Sequence, residues 1–447
     1  MAALAAPFIW TDAIAAEFPS AFVAFLRANN IHPDNYKVAD LPRYVRVSPR
    51  APPELTRSEL ERQLGAPIEP VDWLPGSYFR VPSHVKIAGS RAYKDGHLYG
   101  IDVSSGAAVL ALDVQPGDDV LDLCCAPGAK LCALADAMEL FGTLTGVDVS
   151  EERLAACRTL CAKYGATNVR LLLRDGQTFS EPPPRRRGGR SGLAASADEA
   201  AGVAGDGIGA VGSDGGGSGD VGGGGGGGED GEDGEDGEDG EDGEDGEDGE
   251  VVVAPASSQP HPHPHRQPPR KRRRRGAASS SFFMGSALTD DHDRGAGVHG
   301  YDHDRGAGVP GYDRVLVDAE CTHDGSIKHL AKFAQWGWET FERRFLDTER
   351  LTSLTTLQAA LLAAGFRALK PGGTLVYSTC SFARAQNEAI VEAFVRAEPR
   401  AELLPIESLR GAPCRAGDVP HTLRFEPRIS QTSGLFVAKL TKLVGVG

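Results

Sequence analysis

This chain has no apolar run long enough to cross a membrane and no apolar leader at its start. That excludes a spanning protein and gives no sign of export, so no membrane partner is expected. It has no CxxC pair among its eight cysteines. The common zinc spacings are therefore missing, and no metal is expected. Eight cysteines in 447 residues are also too few for a secreted disulfide scaffold. A reducing compartment, with thiols free for chemistry, fits better. The glycine fingerprint GxGxxG of dinucleotide sites does not occur. Asp12 and Glu17 precede the first basic residue, Arg27, which is unlike an acid-poor transit peptide.

What is abundant is glycine, and most of the 56 lie between residues 181 and 310. That span carries 26 acidic and 13 basic residues, so the net charge of −15 belongs almost wholly to it. The remainder is close to neutral, and the acidic balance does not exclude a nucleic-acid substrate. The span holds Pro182–Pro184, a Gly-Glu-Asp repeat from Gly228 to Glu250 and His/Pro alternation at 261–265. A basic run from Arg270 to Arg275 and an eleven-residue tandem repeat, Asp291–Tyr301 and Asp302–Tyr312, follow. Such composition buries too little apolar surface to offset chain entropy, so a disordered insert is expected over 181–310. The basic run admits three readings: a nuclear address or RNA tether, a partner for the acidic repeat, or a solvated run without function. A nuclear or nucleolar location is expected on the first, with the cytoplasm as alternative.

The flanking segments have regular patterns. Ala13–Ala28 has helical spacing at Ile14, Phe18, Phe22 and Leu26; Leu41–Ser48 reads as a strand and Arg57–Leu64 as a helix. From about residue 96 strands and helices alternate, which signals a parallel α/β sheet. Strands are predicted at Asp119–Leu123, Thr143–Val149, Val169–Leu173, Arg314–Asp318, Thr374–Thr379 and Gly434–Leu440. Helices are predicted at Ala129–Leu140, after Ser150, at Leu346–Leu369 and at Asn387–Arg396, with Pro371-Gly372-Gly373 as a stop. The expected domains are 1–95, a leading α/β unit, then 96–180 and 311–447, two parts of one sheet interrupted by the insert. Loop-closure entropy grows slowly with length, so the insert should leave the sheet intact.

Chemistry-bearing residues stand at the ends of these strands. Asp122, Asp148 and Asp175 close the first three, where a carboxylate accepts ribose hydroxyls or an adenine amino group. Each alone could be a helix cap; three in succession point to an adenosine-bearing cofactor, either S-adenosylmethionine or a dinucleotide. Between the first strand and its helix lies Cys124-Cys125-Ala126-Pro127-Gly128-Ala129-Lys130, a glycine-containing turn that lets a ligand approach a helix N-terminus. Cys321 and Cys380 follow two further strand ends. Either could be a small buried apolar residue, as Cys124, Cys157 and Cys161 are expected to be. A thiolate is also a good nucleophile toward C6 of a pyrimidine, which activates C5 for methylation. Hydride transfer has no use for two thiols.

With these residues in view, the chain resembles the Nol/Nop/Sun family of S-adenosylmethionine-dependent RNA cytosine-5 methyltransferases. The likeness covers about 90–180 and 311–440, plus Arg43–Val47. It rests on Asp122–Lys130, Asp148, Asp175, Asp318-Ala319-Glu320-Cys321, Ser378-Thr379-Cys380-Ser381, Asn387-Glu388 and Gly434–Leu440. The resemblance implies a Rossmann-like class I methyltransferase sheet. It also implies S-adenosyl-L-methionine held by Cys124, Cys125, Ala126, Pro127, Gly128, Ala129, Lys130, Asp148, Asp175 and Asp318. Cys380 would attack C6, Cys321 would assist release of the adduct, and Asp318 would hold or orient the cytosine. The partner implied is RNA, ribosomal or transfer, bound by a monomer. Three positions depart from the family pattern: Glu320 replaces a proline, Ala129 a frequent glycine, and Thr322-His323-Asp324-Gly325 the usual Ser-Gly continuation. Glu320, if turned inward, should raise the Cys321 pKa by like-charge repulsion. Two other readings stand beside this one: an inactive methyltransferase-like RNA-binding or assembly factor, and a methyltransferase acting on protein or DNA.

Overall fold

The computed structural model describes residues 18–38, 40–184, 311–327, 342 and 346–445, with the backbone of 282–283. Of the insert expected to be disordered over 181–310, residues 181–184 are held through Glu181 and Pro182 by Arg174 and Arg170, and the backbone of Phe282–Phe283 pairs with Leu171 and Arg170. The rest of it, with its acidic repeat, basic run and nearly all of the tandem repeat, and the start of the first predicted helix lie outside the described residues.

A small antiparallel sheet comes first. β1 (Arg43–Val47) pairs with β3 (Tyr78–Val81), which pairs with β2 (Glu69–Pro70); on its other side β1 pairs with β4 (Leu98–Gly100). Helix α1 (Ser20–Ala28) precedes it. α2 (Arg57–Leu64) has the predicted limits, with Thr56 capping the amide of Glu59. The short α3 (Arg91–Lys94) leads into β4. The small sheet thus runs on to Gly100.

α4 (Val103–Leu112) then leads into the main sheet: β5 (Asp119–Asp122), α5 (Ala129–Ala137), β6 (Thr143–Asp148), α6 (Glu151–Lys163) and β7 (Val169–Leu173). β8 (Phe282–Phe283), β9 (Tyr312–Asp318), α7 (Thr348–Ala368), β10 (Leu369–Thr379) and α8 (Glu388–Ala397) follow. The chain closes with β11 (Ala401–Leu404), β12 (Arg415–Ala416), β13 (Thr422–Phe425), α9 (Pro427–Ser430) and β14 (Leu435–Lys442). The strand order is β12-β13-β14-β10-β9-β5-β6-β7-β8, with β11 also on β14. β10, β9, β5, β6 and β7 are parallel and β14 runs against them. The chain moves outward from β5 through β7 and returns at β9, so the order reverses between β5 and β9, the place where such sheets bind ligands.

Side chains alternate across the sheet as strand geometry requires. Leu316 and Val376 enter one core with Leu131 and Leu134 of α5; Val315, Val317, Leu375 and Tyr377 enter the other with Leu362 and Phe366 of α7. The predicted parallel α/β sheet with helices on both faces is what the chain forms. Two details differ from expectation. α7 ends at Ala368 because Lys442 donates to the carbonyls of Phe366 (2.9 Å) and Leu369 (2.7 Å). Pro371-Gly372-Gly373 then lies inside β10, at a register shift against β9. The two flanks of the insert meet at Arg170, whose guanidinium donates to the Pro182 carbonyl (3.1 Å) and contacts the Tyr312 hydroxyl (3.5 Å).

Candidate active site

The carboxyl ends of β5, β6, β9 and β10 form one rim. Register pairs Ser378 with Asp318 and Asp122 with Leu316, so the loops carrying the two cysteines leave adjacent strands beside β5. Asp318 sits between two partners: the Ser378 hydroxyl donates to it at 2.6 Å and Lys130 pairs with it at 2.8 Å. Lys130 therefore links the first turn of α5 to the cysteine loops.

Cys321 Sγ and Cys380 Sγ lie 3.3 Å apart, and both thiols are free. His323 Nδ1 approaches Cys380 Sγ at 3.0 Å. Cys321 is buried, and its thiol is pushed well up, first by its hydrogen bond to Cys380 and then by burial. Glu320 is exposed, and the largest influences on Cys321 are its bond to Cys380 and burial. The expected effect on Cys321 is thus present, but Cys380 and burial cause it. The donor atoms of Cys321, His323 and Cys380 lie within 4.8 Å of one another, a grouping that no CxxC spacing announces.

The loop bearing His323 is fixed from below. Asp324 is fully buried; it accepts from the Ser381 hydroxyl (2.6 Å), the Phe382 amide (2.8 Å) and the Thr322 hydroxyl. Gly325 N–H donates to the Cys380 carbonyl at 2.9 Å. Gln386 and Gln358 extend the network to the Thr322 amide (3.1 Å) and the Glu320 carbonyl (2.7 Å). Asn387 receives the Thr379 hydroxyl at 2.5 Å and donates to the Ser381 carbonyl at 2.7 Å. Glu388 and Arg424 form a buried pair whose arginine also donates to the Phe382 carbonyl at 2.9 Å. Asn387 and Glu388, noted in the sequence only as matching positions, thus hold the Cys380 loop.

The cofactor side fits a cationic, adenosine-bearing ligand. Asp122 is fully buried, and burial followed by the charge of Asp318 pushes its carboxyl up to about 7. Its Oδ1 has no hydrogen-bond partner, an acceptor suited to an ammonium or sulfonium group. Asp148 accepts from the amides of Ala126 (3.3 Å) and Ser150 (2.9 Å), and each oxygen keeps a second lone pair for a ribose hydroxyl. Next to it Val149 is 71% exposed, an apolar surface for a flat ring that a reading of the residues alone did not single out. Asp175 is exposed and caps Gln177; beside it Gln177, Thr348, Thr352 and Leu357 line an open depression. Cys124 is half-buried and its thiol is pushed well up, chiefly by burial. Cys125 lies in the core, its Sγ 4.0 Å from that of Cys157 and its amide bonded to the Val147 carbonyl at 2.9 Å. Pro127 follows Ala126 through a cis bond. Gly128 takes a left-handed φ of 115°, and a Cβ there would sit 3.3 Å from Cys157 Cα; the turn needs glycine at this point. Ala129 begins α5, whose first amides have no intrahelical acceptor.

Comparison with known proteins adds to this geometry. The family profile described as 16S rRNA methyltransferase RsmB/F matches residues 109–186 and 296–441, half of the chain. A ribosomal RNA small subunit methyltransferase F of Klebsiella pneumoniae is 33% identical over 133 residues, 30% of this chain and 26% of that protein. One from Shewanella baltica gives the same figures. The chain spans about a quarter of the length of the curated relatives it matches. A solved methyltransferase homologue from Pyrococcus horikoshii superimposes with a TM-score of 0.56 at 20% identity. That match covers 97% of this chain and 100% of the other, a likeness of fold.

Proposed function

Because the chain belongs to the RsmB/F family of 16S rRNA methyltransferases, whose methyl donor is S-adenosylmethionine, we propose that it methylates C5 of cytosine in ribosomal RNA through a covalent adduct of Cys380. The observation that carries this reading is the pair of free thiols 3.3 Å apart on a rim that also holds Asp318 and Asp122. Asp122, Asp148, Asp175 and the head of α5 would hold the cofactor. When bound, it supplies the methyl group.

The chain's own residues do the rest. The Cys380 thiolate adds to C6 and turns C5 into a carbon nucleophile. Asp318, held by Lys130 and Ser378, presents a carboxylate to the amino edge of the base. Cys321 keeps its proton while Cys380 is free, since the bond to Cys380 and burial both favour the thiol. Once the Cys380 sulfur is a thioether, that bond is gone. Cys321 can then release its proton to solvent and, as a thiolate, take the C5 proton, while the C6–S bonding pair returns to the Cys380 sulfur. A target base within a duplex must first leave its stack. The test is incubation with small-subunit rRNA and methyl donor, followed by nucleoside mass spectrometry. 5-Methylcytidine is expected; a methyl group on another atom, or none, contradicts the proposal.

A further inference from the structure

We propose that His323 is a catalytic residue in this chain: its imidazole takes the Cys380 thiol proton and forms a thiolate–imidazolium pair that arms the nucleophile. The inference rests on the reading of Cys380 as nucleophile. Nδ1 lies 3.0 Å from Cys380 Sγ, within reach for direct proton transfer. The residue departs from the small continuation that follows the family cysteine. It also takes a left-handed backbone, φ 56°, that non-glycine residues adopt at a cost. A cost of this kind persists where surrounding structure over-determines it, and such positions cluster at active sites.

The surroundings are of that kind. Thr322, Asp324, Gly325 and Ser326 are buried, and His323 alone among them is exposed. Asp324 joins the His323 loop to the two residues after Cys380 through Ser381 Oγ and Phe382 N. The Gly325 amide joins it to the Cys380 carbonyl. The imidazole thus has a set distance to the sulfur. Among the described residues, the charged or titratable groups on the rim beside the pair include Cys321 and the Asp318–Lys130 pair. Beneath it lie buried Asp324, Tyr36 and, at the Phe382 carbonyl, Arg424; Glu320 faces solvent. In the step, the Sγ–H bond of Cys380 breaks and an Nδ1–H bond forms on the tautomer that carries its proton on Nε2. The sulfur keeps the electron pair, gives it to C6, and recovers it on elimination beside the same imidazolium. A bare thiol would be mostly protonated at neutral pH; an imidazolium neighbour keeps a thiolate available there.

The test needs neither RNA nor methyl donor. The full chain is alkylated with iodoacetamide from pH 5 to 9, and modification of Cys380 is followed by peptide mass spectrometry. In the wild type, Cys380 should continue to react below pH 7. In His323→Gly, which accepts the left-handed φ without strain, the rate at pH 6 should fall about tenfold or more. Exogenous imidazole should restore part of it. His323→Asn, also tolerant of this backbone, should give the same loss if the glycine variant is unstable. Superimposable pH profiles for wild type and both variants would overturn the assignment. Loss of methyl transfer with the low-pH alkylation intact would leave the His323–Cys380 pair standing and overturn the methyltransferase reading instead.

Discussion

Asp122 of β5 is fully buried with one oxygen unpartnered, and Asp318 and Lys130 act on it from other elements. The carboxyl is pushed up to about 7, first by burial and then by Asp318. The folded protein therefore holds this proton more tightly than the unfolded chain. The contribution is fully present below the unfolded value near 4 and is lost as pH rises through about 7. Asp122→Asn should thus gain stability over the wild type with rising pH, by up to about 4 kcal/mol at pH 8 and close to none at pH 4. Urea unfolding at the two pH values checks this; a difference independent of pH would contradict it. His323 was visible only as an odd residue after a cysteine, since nothing in a linear sequence places it against a thiol 57 positions away.

Among the elements, those with a clear period were readable. α2 and β7 have their predicted limits, and Ser150 caps α6 by accepting from the Arg153 amide at 3.2 Å. α4 was missed because nine of its ten residues are buried, so Val-Ser-Ser-Gly-Ala-Ala shows no polar face. The strands β11 to β13 were missed because they are short and owe their form to neighbours, β11 and β13 to β14 and β12 to β13. The two cysteine loops carry the proposed chemistry, and their backbones meet where the Gly325 amide donates to the Cys380 carbonyl. A Cβ at this position would collide with the Cys380 carbonyl oxygen and sit 3.1 Å from Gly434 Cα. Gly325→Ala should cost about 1–3 kcal/mol of stability and move the thiols apart. Methyl transfer should fall by about a hundredfold, as small misplacements of reacting groups allow. Affinity for S-adenosylmethionine, titrated calorimetrically, should stay within a factor of about three, because Asp122, Asp148 and Asp175 lie on other strands. Equal loss of both would contradict this division of labour.

At the scale of the whole molecule, the sheet gathers functions that the sequence scatters. In the proposed function, residues 122–175 would supply the cofactor side and residues 318–323 and 378–381, beyond the long insert, the chemistry; Arg170 draws the flanks of that insert together. The small sheet joins this body through Arg46 and Arg50, which reach Asp136 of α5 at 2.7 and 2.6 Å. The convergence of β5, β9 and β10 was legible as strand ends with acids and thiols; which thiol keeps its proton required the geometry. The central claim is that Cys380 bonds to RNA and Cys321 releases it. The measurement that tests it most directly is denaturing electrophoresis of Cys321→Ala and Cys380→Ala proteins after incubation with rRNA and S-adenosylmethionine. A retarded protein–RNA band with Cys321→Ala and none with Cys380→Ala is the predicted result; a band with Cys380→Ala alone, or with neither protein, would contradict it.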